Sequence, residues 1–328
     1  MYFCAVQMHW DIEDYKSPQA FESKIESLMK KIRSEAGEKE DILVAFPEDV
    51  GTPLVFMRSY EAVKDVKTLQ DAVKILIKKH GLKVLPYKLR YKVSWIRALA
   101  LATAKRTAKT YLDVFSRMAK KYRVTLVAGS VLLPDFEWNK DIKKTVYKIP
   151  DGNIYNVSFL FNEQGELIGT QKKTHLVPGL EDREGFDLCV GKIEDLKVYP
   201  TPFGNIGIAV CLDCFKEPVV QALAEKKADI LIQPSANPQA WDKEEQTGWM
   251  EGCKKAMDTY KSISYALNPM MVGCLFDLCF EGQSSVMTNK AKNPQKMSYM
   301  DLEETDGFVK VAKGARREEI LLVRKDSI

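Results

Sequence analysis

Cys211 has the sequence context most suggestive of covalent chemistry in this chain. It follows the apolar run 206–210, which predicts a buried strand, and it precedes a segment beginning at Pro218 whose apolar spacing predicts a helix. A thiol between a strand and a helix N-terminus lies in a positive local potential, which favours the nucleophilic thiolate. This position suits a nucleophile, although an unpaired cysteine is more often a small buried hydrophobic residue.

Glu48 is a second candidate for a functional site. It follows the apolar strand predicted at 42–46 and the intervening Pro47. An acid at the end of a fully apolar strand is more informative than an acid in a loop. Considered alone, however, Glu48 is more commonly interpreted as an acid in a solvated turn.

The elements that must position these residues alternate between strands and helices. Strands are predicted at 2–7, 42–46, 123–130 and 154–162, with helices at 17–34 and 110–121 between them. This order is typical of an α/β protein whose sheets are covered by helices. No composition break marks a linker, so we expect a single domain over residues 1–328.

Residues 51–111 differ from the rest of the chain and are predicted to form a basic helical insertion. Between Lys74 and Lys109 there are eleven Lys and Arg residues and no acid, interleaved with Tyr87, Tyr91 and Trp95. We expect solvated cationic helices that cover a cleft. The alternative is an amphipathic surface that docks on membrane lipid or nucleic acid.

Composition limits the class of protein. The 328 residues are 45% hydrophobic with a net charge of +4, which requires no nucleic-acid partner. Seven cysteines scattered through apolar runs predict reduced thiols and a cytoplasmic location. Neither a signal peptide nor a run long enough for a transmembrane helix is predicted.

Several motifs occur together in the order found in one enzyme superfamily. They are AVQM near the start, VAFPEDVG around Glu48, VAGS, KKTHLVPG around Lys173, FGNIGIAVC ending at Cys211, ADILIQPSANP and GQSSVM. In these motifs the chain resembles the nitrilase superfamily of carbon–nitrogen hydrolases. The resemblance covers most of the sequence outside the insertion.

The resemblance implies a four-layer α-β-β-α sandwich and a Glu48–Lys173–Cys211 triad. Cys211 is then the nucleophile that forms a thioester, and Glu48 is the general base and acid. Lys173, with the backbone N–H of Leu212, is expected to stabilise the oxyanion. Glu181 lies at the spacing of a second glutamate that positions substrate and lysine, although the acids at 182 and 184 are close by.

The expected substrate is a small linear amide or carbamoyl compound. The acid Asp213 after the cysteine is more similar to the amidase branches than to nitrile-cleaving members, so nitrile hydrolysis is the alternative. Leu212 and Phe215 depart from the aromatic residue and the arginine that the family often has there. The resemblance also implies a homodimer or larger even homo-oligomer, with the helix at 218–227 near the two-fold interface; no metal or cofactor is predicted.

The sequence also contains features of other functional classes. The C-x-x-C spacing of Cys211 and Cys214 is found in dithiol oxidoreductases, and Cys274 with Cys279 could complete a zinc site. Both are disfavoured, because dithiol motifs normally lie early in a shorter domain and because Cys274 and Cys279 are expected in the core. His175 is interpreted as a framework residue rather than a base. A non-catalytic binding protein on this fold is the remaining class.

Overall fold

The computed structural model describes residues 1–136, 138–139, 144–145, 149–289 and 296–325. In chain order the strands are β1 (Tyr2–Trp10), β2 (Ile42–Ala45), β3 (Thr125–Leu133), β4 (Trp138–Asn139), β5 (Lys144–Thr145), β6 (Tyr155–Phe161), β7 (Leu167–Lys172), β8 (Val198–Thr201), β9 (Gly204–Ile208), β10 (Ile230–Ile232), β11 (Ser235–Ala236), β12 (Tyr265–Asn268), β13 (Met270–Leu275), β14 (Leu278–Phe280), β15 (Ser285–Thr288), β16 (Phe308–Val311) and β17 (Glu319–Arg324). The α-helices are α1 (Pro18–Ala36), α2 (Tyr60–Val63), α3 (Leu69–Lys79), α4 (Gly81–Tyr91), α5 (Trp95–Tyr122), α6 (Glu217–Glu225), α7 (Lys243–Trp249) and α8 (Cys253–Thr259).

Within the described residues the strands form two large sheets and one short pair. The first sheet has the order β11-β13-β1-β2-β3-β6-β7, with β14 paired to β13 and β17 paired to β1. The second sheet has the order β16-β15-β12-β10-β9-β8, and β4 pairs with β5. Neighbouring strands β1, β2 and β3 run parallel, as do β9, β10 and β12.

The two sheets pack face to face, and the side chains of the central strand β1 alternate between two apolar environments. In β1, Phe3 and Ala5 belong to the core shared with the second sheet and with α6 and α8. Cys4 and Val6 belong to the core shared with α1 and α5. This period of two is what a strand buried on both faces requires. The predicted four-layer α-β-β-α sandwich is therefore confirmed.

The predicted insertion contains a short 3-10 helix (Thr52–Phe56), the helices α2 to α4 and the first part of α5. The helix expected only over 110–121 is the second half of α5, which runs for 28 residues and crosses the boundary predicted at 111. Ser94 caps α5 by accepting a hydrogen bond from the Arg97 N–H at 3.1 Å. Pro86 lies inside α4.

The prediction that all cysteines are reduced and that Cys274 and Cys279 lie in the core is wrong. These two residues lie opposite each other in the hairpin β13–β14 and form a disulfide. Both side chains are exposed, because alternate residues of the hairpin face away from the body. The pairing also removes two of the four ligands of the zinc alternative, and it weakens the argument from reduced thiols to a cytoplasmic location.

Among the residues that the structure describes, no helix is long and apolar enough to cross a bilayer. α6 packs on the second sheet through Val219, Val220 and Leu223. The single domain, the homo-oligomer with this helix near its two-fold axis and the cytoplasmic location remain predictions.

Candidate active site

The three residues of the expected triad follow strands of both sheets. Glu48 follows β2 and Lys173 follows β7, both in the first sheet. Cys211 follows β9, in the second sheet. The site therefore lies where the ends of strands from the two packed sheets meet, and all three side chains are buried.

A buried ammonium group lies between two carboxylates. Lys173 Nζ is 2.8 Å from Glu48 Oε1 and 2.6 Å from Glu181 Oε2. Of the acids considered for the second glutamate, Glu181 is thus the one beside Lys173. Asp182 is instead used locally, accepting backbone hydrogen bonds from Gly179 and Glu184.

Asn156, in β6, connects the two carboxylates. Its Nδ2 donates to Glu48 Oε1 at 2.9 Å and to Glu181 Oε1 at 3.1 Å. Its backbone oxygen also accepts from the Lys173 N–H at 2.8 Å. The sequence alone assigned this residue no role. An amide at the start of a strand gives no signal of its own, so only the pairing of β6 with β7 brings it to the site.

Cys211 and Glu48 are both held against the backbone of Ala236. The Cys211 thiol donates to the Ala236 oxygen at a sulphur–oxygen distance of 3.9 Å, and the Ala236 N–H donates to Glu48 Oε2 at 3.1 Å. Cys211 has φ 48°, in the left-handed region that non-glycine residues seldom adopt. Such strain at a functional residue persists only where the surroundings impose it.

The expectation of a thiolate at an α-helix N-terminus needs correction. Cys211 begins a five-residue 3-10 helix (Cys211–Phe215), and α6 starts only at Glu217. Burial is the largest influence on the thiol and raises the pKa of Cys211 well above its ordinary value; Glu48 raises it further, and Lys173 lowers it. The resting sulphur is therefore a neutral thiol, and ionising it requires a base.

Burial and neighbouring charges also shift the pKa values of Glu48 and Lys173. Burial raises the pKa of Glu48 above the ordinary 4.5, and the positive charge of Lys173 opposes this shift. Burial lowers the pKa of Lys173, but its electrostatic interactions with Glu48, Cys211 and Glu181 outweigh burial, so the net shift is upward. The upward shift at Lys173 favours the ammonium form, and the upward shift at Glu48 brings its proton exchange nearer to neutral pH.

Asp213 fixes the segment that follows Lys173. The Thr174 N–H lies 3.0 and 2.9 Å from its two carboxylate oxygens, and the His175 N–H lies 2.7 Å from Oδ1. The His175 ring nitrogen Nδ1 is 3.3 Å from the same oxygen. His175 therefore helps to hold this loop in place through Asp213, which is the framework role expected for it.

The short helix at Cys211 provides a candidate oxyanion donor. The Asp213 N–H makes the first turn's hydrogen bond, to the Val210 oxygen at 3.0 Å. The Leu212 N–H lies one residue before this hydrogen bond, where a helix has no acceptor of its own for the N–H group.

Phe215 stands at the position where an arginine is common in the family. Its ring packs edge-on against Trp249 at 5.2 Å between ring centroids.

A largely apolar cavity of about 750 Å³ lies beside the loop that carries Glu181. Its walls come from α3, the start of α5, residues 180–186 and the turn between β13 and β14. A smaller cavity of about 70 Å³ continues inward past Val73, Ile96, Phe186 and Leu278, which line both. The insertion thus forms one wall of a space large enough for a small ligand.

The Glu181 loop is also fastened to the insertion by an ion pair. Arg97 Nη2 donates to Asp187 Oδ1 and Arg97 Nε donates to the Asp187 backbone oxygen, each at 2.6 Å. The Ser94 N–H adds a bond of 3.3 Å to Asp187 Oδ2. Asp187 has φ 57°, so the loop reaches this contact through a left-handed residue.

In the described part of the chain, no group of three or more His, Cys, Asp or Glu side chains could hold a metal ion.

Comparison with known proteins agrees with this architecture. The chain is 30% identical over 132 residues to omega-amidase NIT3 of Saccharomyces cerevisiae, covering 39% of this chain and 40% of that protein. It is 31% identical over 130 residues to the deaminated glutathione amidase of Homo sapiens, covering 38% of this chain and 36% of that protein. The matches thus span about two fifths of these relatives.

Solved structures extend the likeness in fold to the whole chain. Saccharomyces cerevisiae Nit3, a member of branch 10 of the nitrilase superfamily, aligns with TM-score 0.58 and 16% identity over 100% of this chain and 91% of that one. An amidase from Nesterenkonia sp. AN1 with acrylamide added at its active-site cysteine aligns with TM-score 0.59 and 15% identity, over 99% and 92% of the two chains.

The family model named carbon-nitrogen hydrolase matches residues 5–288, from β1 to β15. That match includes every strand that carries a residue of the buried site. This chain therefore belongs to the carbon–nitrogen hydrolase family.

Proposed function

We propose that this protein hydrolyses the C–N bond of a small linear amide or carbamoyl compound through a thioester on Cys211. The family and its amidase relatives support hydrolysis of an amide C–N bond. A thioester on Cys211 is supported above all by the buried cluster of Glu48, Lys173 and Glu181, which lies next to this cysteine with its strained backbone. A neutral thiol, a carboxylate and a fixed ammonium are the groups that amide cleavage needs at one place.

In the first half of the reaction, Glu48 takes the proton of the Cys211 thiol as the sulphur attacks the substrate carbonyl carbon. Negative charge develops on the carbonyl oxygen, where the Lys173 ammonium and the Leu212 N–H stabilise it; each such donor typically contributes about 3 kcal/mol. The C–N bond then breaks, Glu48 gives its proton to the departing nitrogen, and ammonia or an amine leaves.

In the second half, water loses a proton to Glu48 and attacks the thioester carbon. The C–S bond breaks, the proton returns to sulphur, and the carboxylic acid or carbamate product is released. The upward pKa shift of Glu48 suits this work, because a group that both accepts and donates protons is most effective when its pKa is near the working pH.

Glu181 and Asn156 act in this proposal through other residues. Glu181 keeps Lys173 charged, and Asn156 holds the two carboxylates in place. The amidase branch is favoured over nitrile hydrolysis on the basis of Asp213 and of the relatives.

The proposal is tested by rapid-quench mass spectrometry after mixing the protein with a panel of linear amides, carbamoyl compounds and matching nitriles. We expect an acyl mass on the peptide that contains Cys211, formed from an amide or carbamoyl compound. A Cys211→Ala variant should lose the adduct and several orders of magnitude in rate. Cys214→Ser is the matched control, since both cysteines are buried free thiols, and it should keep most of the activity. An adduct confined to another residue, or faster reaction with the nitriles, contradicts the proposal.

A further inference from the structure

Helix α4 is apolar on two opposite faces. Val84 is fully buried, and Tyr87 and Tyr91 are partly buried against the body. On the other face Leu82, Leu85 and Leu89 are 95%, 43% and 66% exposed. Rotation of about 100° per residue puts these three leucines on one side of the helix. A surface helix normally has a polar outer face, so these leucines require an explanation.

The apolar surface continues onto the start of α5. Trp95 is 42% exposed, and Lys88 Nζ lies 4.9 Å from the centre of its ring. Lys88 Nζ also donates to the Val93 oxygen at 3.1 Å, so the segment between α4 and α5 is held in place. We call Leu82, Leu85, Leu89 and Trp95 the α4 face. By contrast Tyr91 and Val93 pack against the body.

Cations flank the α4 face on both sides. Helical rotation places Lys83 and Arg90 on one side of the leucines and Lys88 on the other. The exposed Lys78 and Lys79 end the neighbouring helix α3, and there is no acid anywhere between residues 74 and 109. Long basic side chains beside exposed leucines and a tryptophan are characteristic of helices that lie in a membrane interface.

We propose that the α4 face docks on the surface of an anionic lipid bilayer, with the leucines and Trp95 entering the interface and the cations contacting lipid headgroups. A second copy of this chain fits less well. Two-fold self-association through this face would bring the cations that flank it in one copy, Lys83, Lys88 and Arg90, close to the same cations of the other copy. Nucleic acid would satisfy the charge but not the exposed leucines, which gain nothing from a phosphate backbone.

The proposal also leaves room for the covering role expected from the sequence. The inward sides of α3 and α5 line the large cavity through Val73, Ile77 and Ile96, and Trp95 borders both this cavity and the α4 face. The insertion thus has one side on the hydrolase body and the other available to a bilayer. Docking is peripheral and does not require a membrane-spanning helix.

The test is co-sedimentation of the full chain with vesicles of phosphatidylcholine alone or mixed with phosphatidylserine, in rising salt. We expect binding to the phosphatidylserine vesicles that weakens as salt screens the charges. Leu82→Ser with Leu89→Ser should reduce the partition coefficient at least about tenfold. Lys83→Gln with Arg90→Gln should reduce it about 30-fold, the effect expected from two cations near an anionic surface.

Matched controls use exposed residues elsewhere. Ile168→Ser removes an exposed apolar side chain, and Lys39→Gln with Lys243→Gln removes two exposed charges; neither should change partitioning. Circular dichroism confirms folding of each variant. No salt-sensitive binding by the wild-type protein, or equal losses in the controls, overturns the proposal. Analytical ultracentrifugation without vesicles detects self-association; if Leu82→Ser with Leu89→Ser dissociates an oligomer, the α4 face is an interface between copies instead.

Discussion

Asn156 Nδ2 lies 2.9 Å from Glu48 Oε1, the same oxygen that accepts a hydrogen bond from Lys173. Both donors therefore hold one oxygen of the proposed base, and the Ala236 N–H holds the other. A carboxylate with three donors has a defined orientation, so the direction in which Glu48 moves a proton is set by its neighbours. Asn156 is accordingly a positioning residue of the proposed mechanism.

Replacing Asn156 should affect turnover more than substrate binding. Asn156→Leu removes the donor shared by two buried carboxylates, and we expect kcat to fall roughly 10- to 100-fold, the usual effect of losing a hydrogen bond to a charged group. Asn156→Asp adds a third carboxylate and should move the acid limb of the pH–kcat profile to higher pH. Ser158→Ala, in the same strand and equally buried, is the control and should leave the profile in place. Unchanged kinetics in both Asn156 variants contradicts the positioning role.

The left-handed backbone at Cys211 predicts an unusual order of stabilities. Because residues with a Cβ are disfavoured at φ 48°, Cys211→Gly should be more stable than Cys211→Ala by about 1 kcal/mol. At Cys214, inside the same 3-10 helix, the order should reverse, since glycine there only adds flexibility to the unfolded chain. Urea denaturation of the four variants measures both differences. Alanine more stable than glycine at both positions is incompatible with strain at Cys211.

Glu48 should make stability depend on pH in a specific direction. Its pKa is raised on folding, so the folded state holds the proton more tightly than the unfolded chain, and stability falls as pH rises above the ordinary value of 4.5. Glu48→Gln removes this dependence. We therefore compare the melting temperature of Glu48→Gln with that of the wild-type protein at each pH. We expect the variant-minus-wild-type difference to be a few degrees more positive at pH 8 than at pH 4. Thermal melts across that range measure the difference; a constant offset, or one that shrinks with pH, contradicts the shift.

The hairpin disulfide predicts a thiol count. With Cys274 and Cys279 paired, alkylation in denaturant without reductant should label five cysteines, and labelling after reduction should reach all seven. Cys274→Ser should cost about 2 kcal/mol, the value expected for closing so short a loop. Peptide mass mapping identifies the pair. Seven labelled cysteines without reductant exclude the disulfide.

The sequence was informative wherever a strand ended in a residue of unusual type. Apolar runs singled out Glu48 and Cys211 and predicted an α/β protein, whereas Lys173 and the four-layer sandwich were implied by the resemblance of the motifs to a known superfamily. Distinguishing Glu181 from its acidic neighbours required the path of the loop after Lys173, which no local pattern encodes. Asn156 gave no signal because its role depends on which strands pair.

Elsewhere local patterns suggested the wrong environment. The run VGCLFDLCF is mostly apolar and favoured a buried strand, yet Phe276 and Asp277 turn the chain within it. That turn sets Cys274 opposite Cys279 on the exposed side. In the insertion, cationic helices that cover a cleft were expected; helical rotation turns Val84, Tyr87 and Tyr91 toward the body and leaves the leucines outside.

The contact between Arg97 and Asp187 has a thermodynamic consequence. Arg97 lies two residues after Trp95 of the α4 face, and Asp187 ends the loop that begins with Glu181. If docking on a bilayer shifts the start of α5, this ion pair passes the shift to the loop beside the reacting groups. Linkage then requires reciprocity: the factor by which lipid changes the affinity for substrate equals the factor by which substrate changes the affinity for lipid. A tightly bound substrate analogue would then control how long the enzyme stays at a membrane.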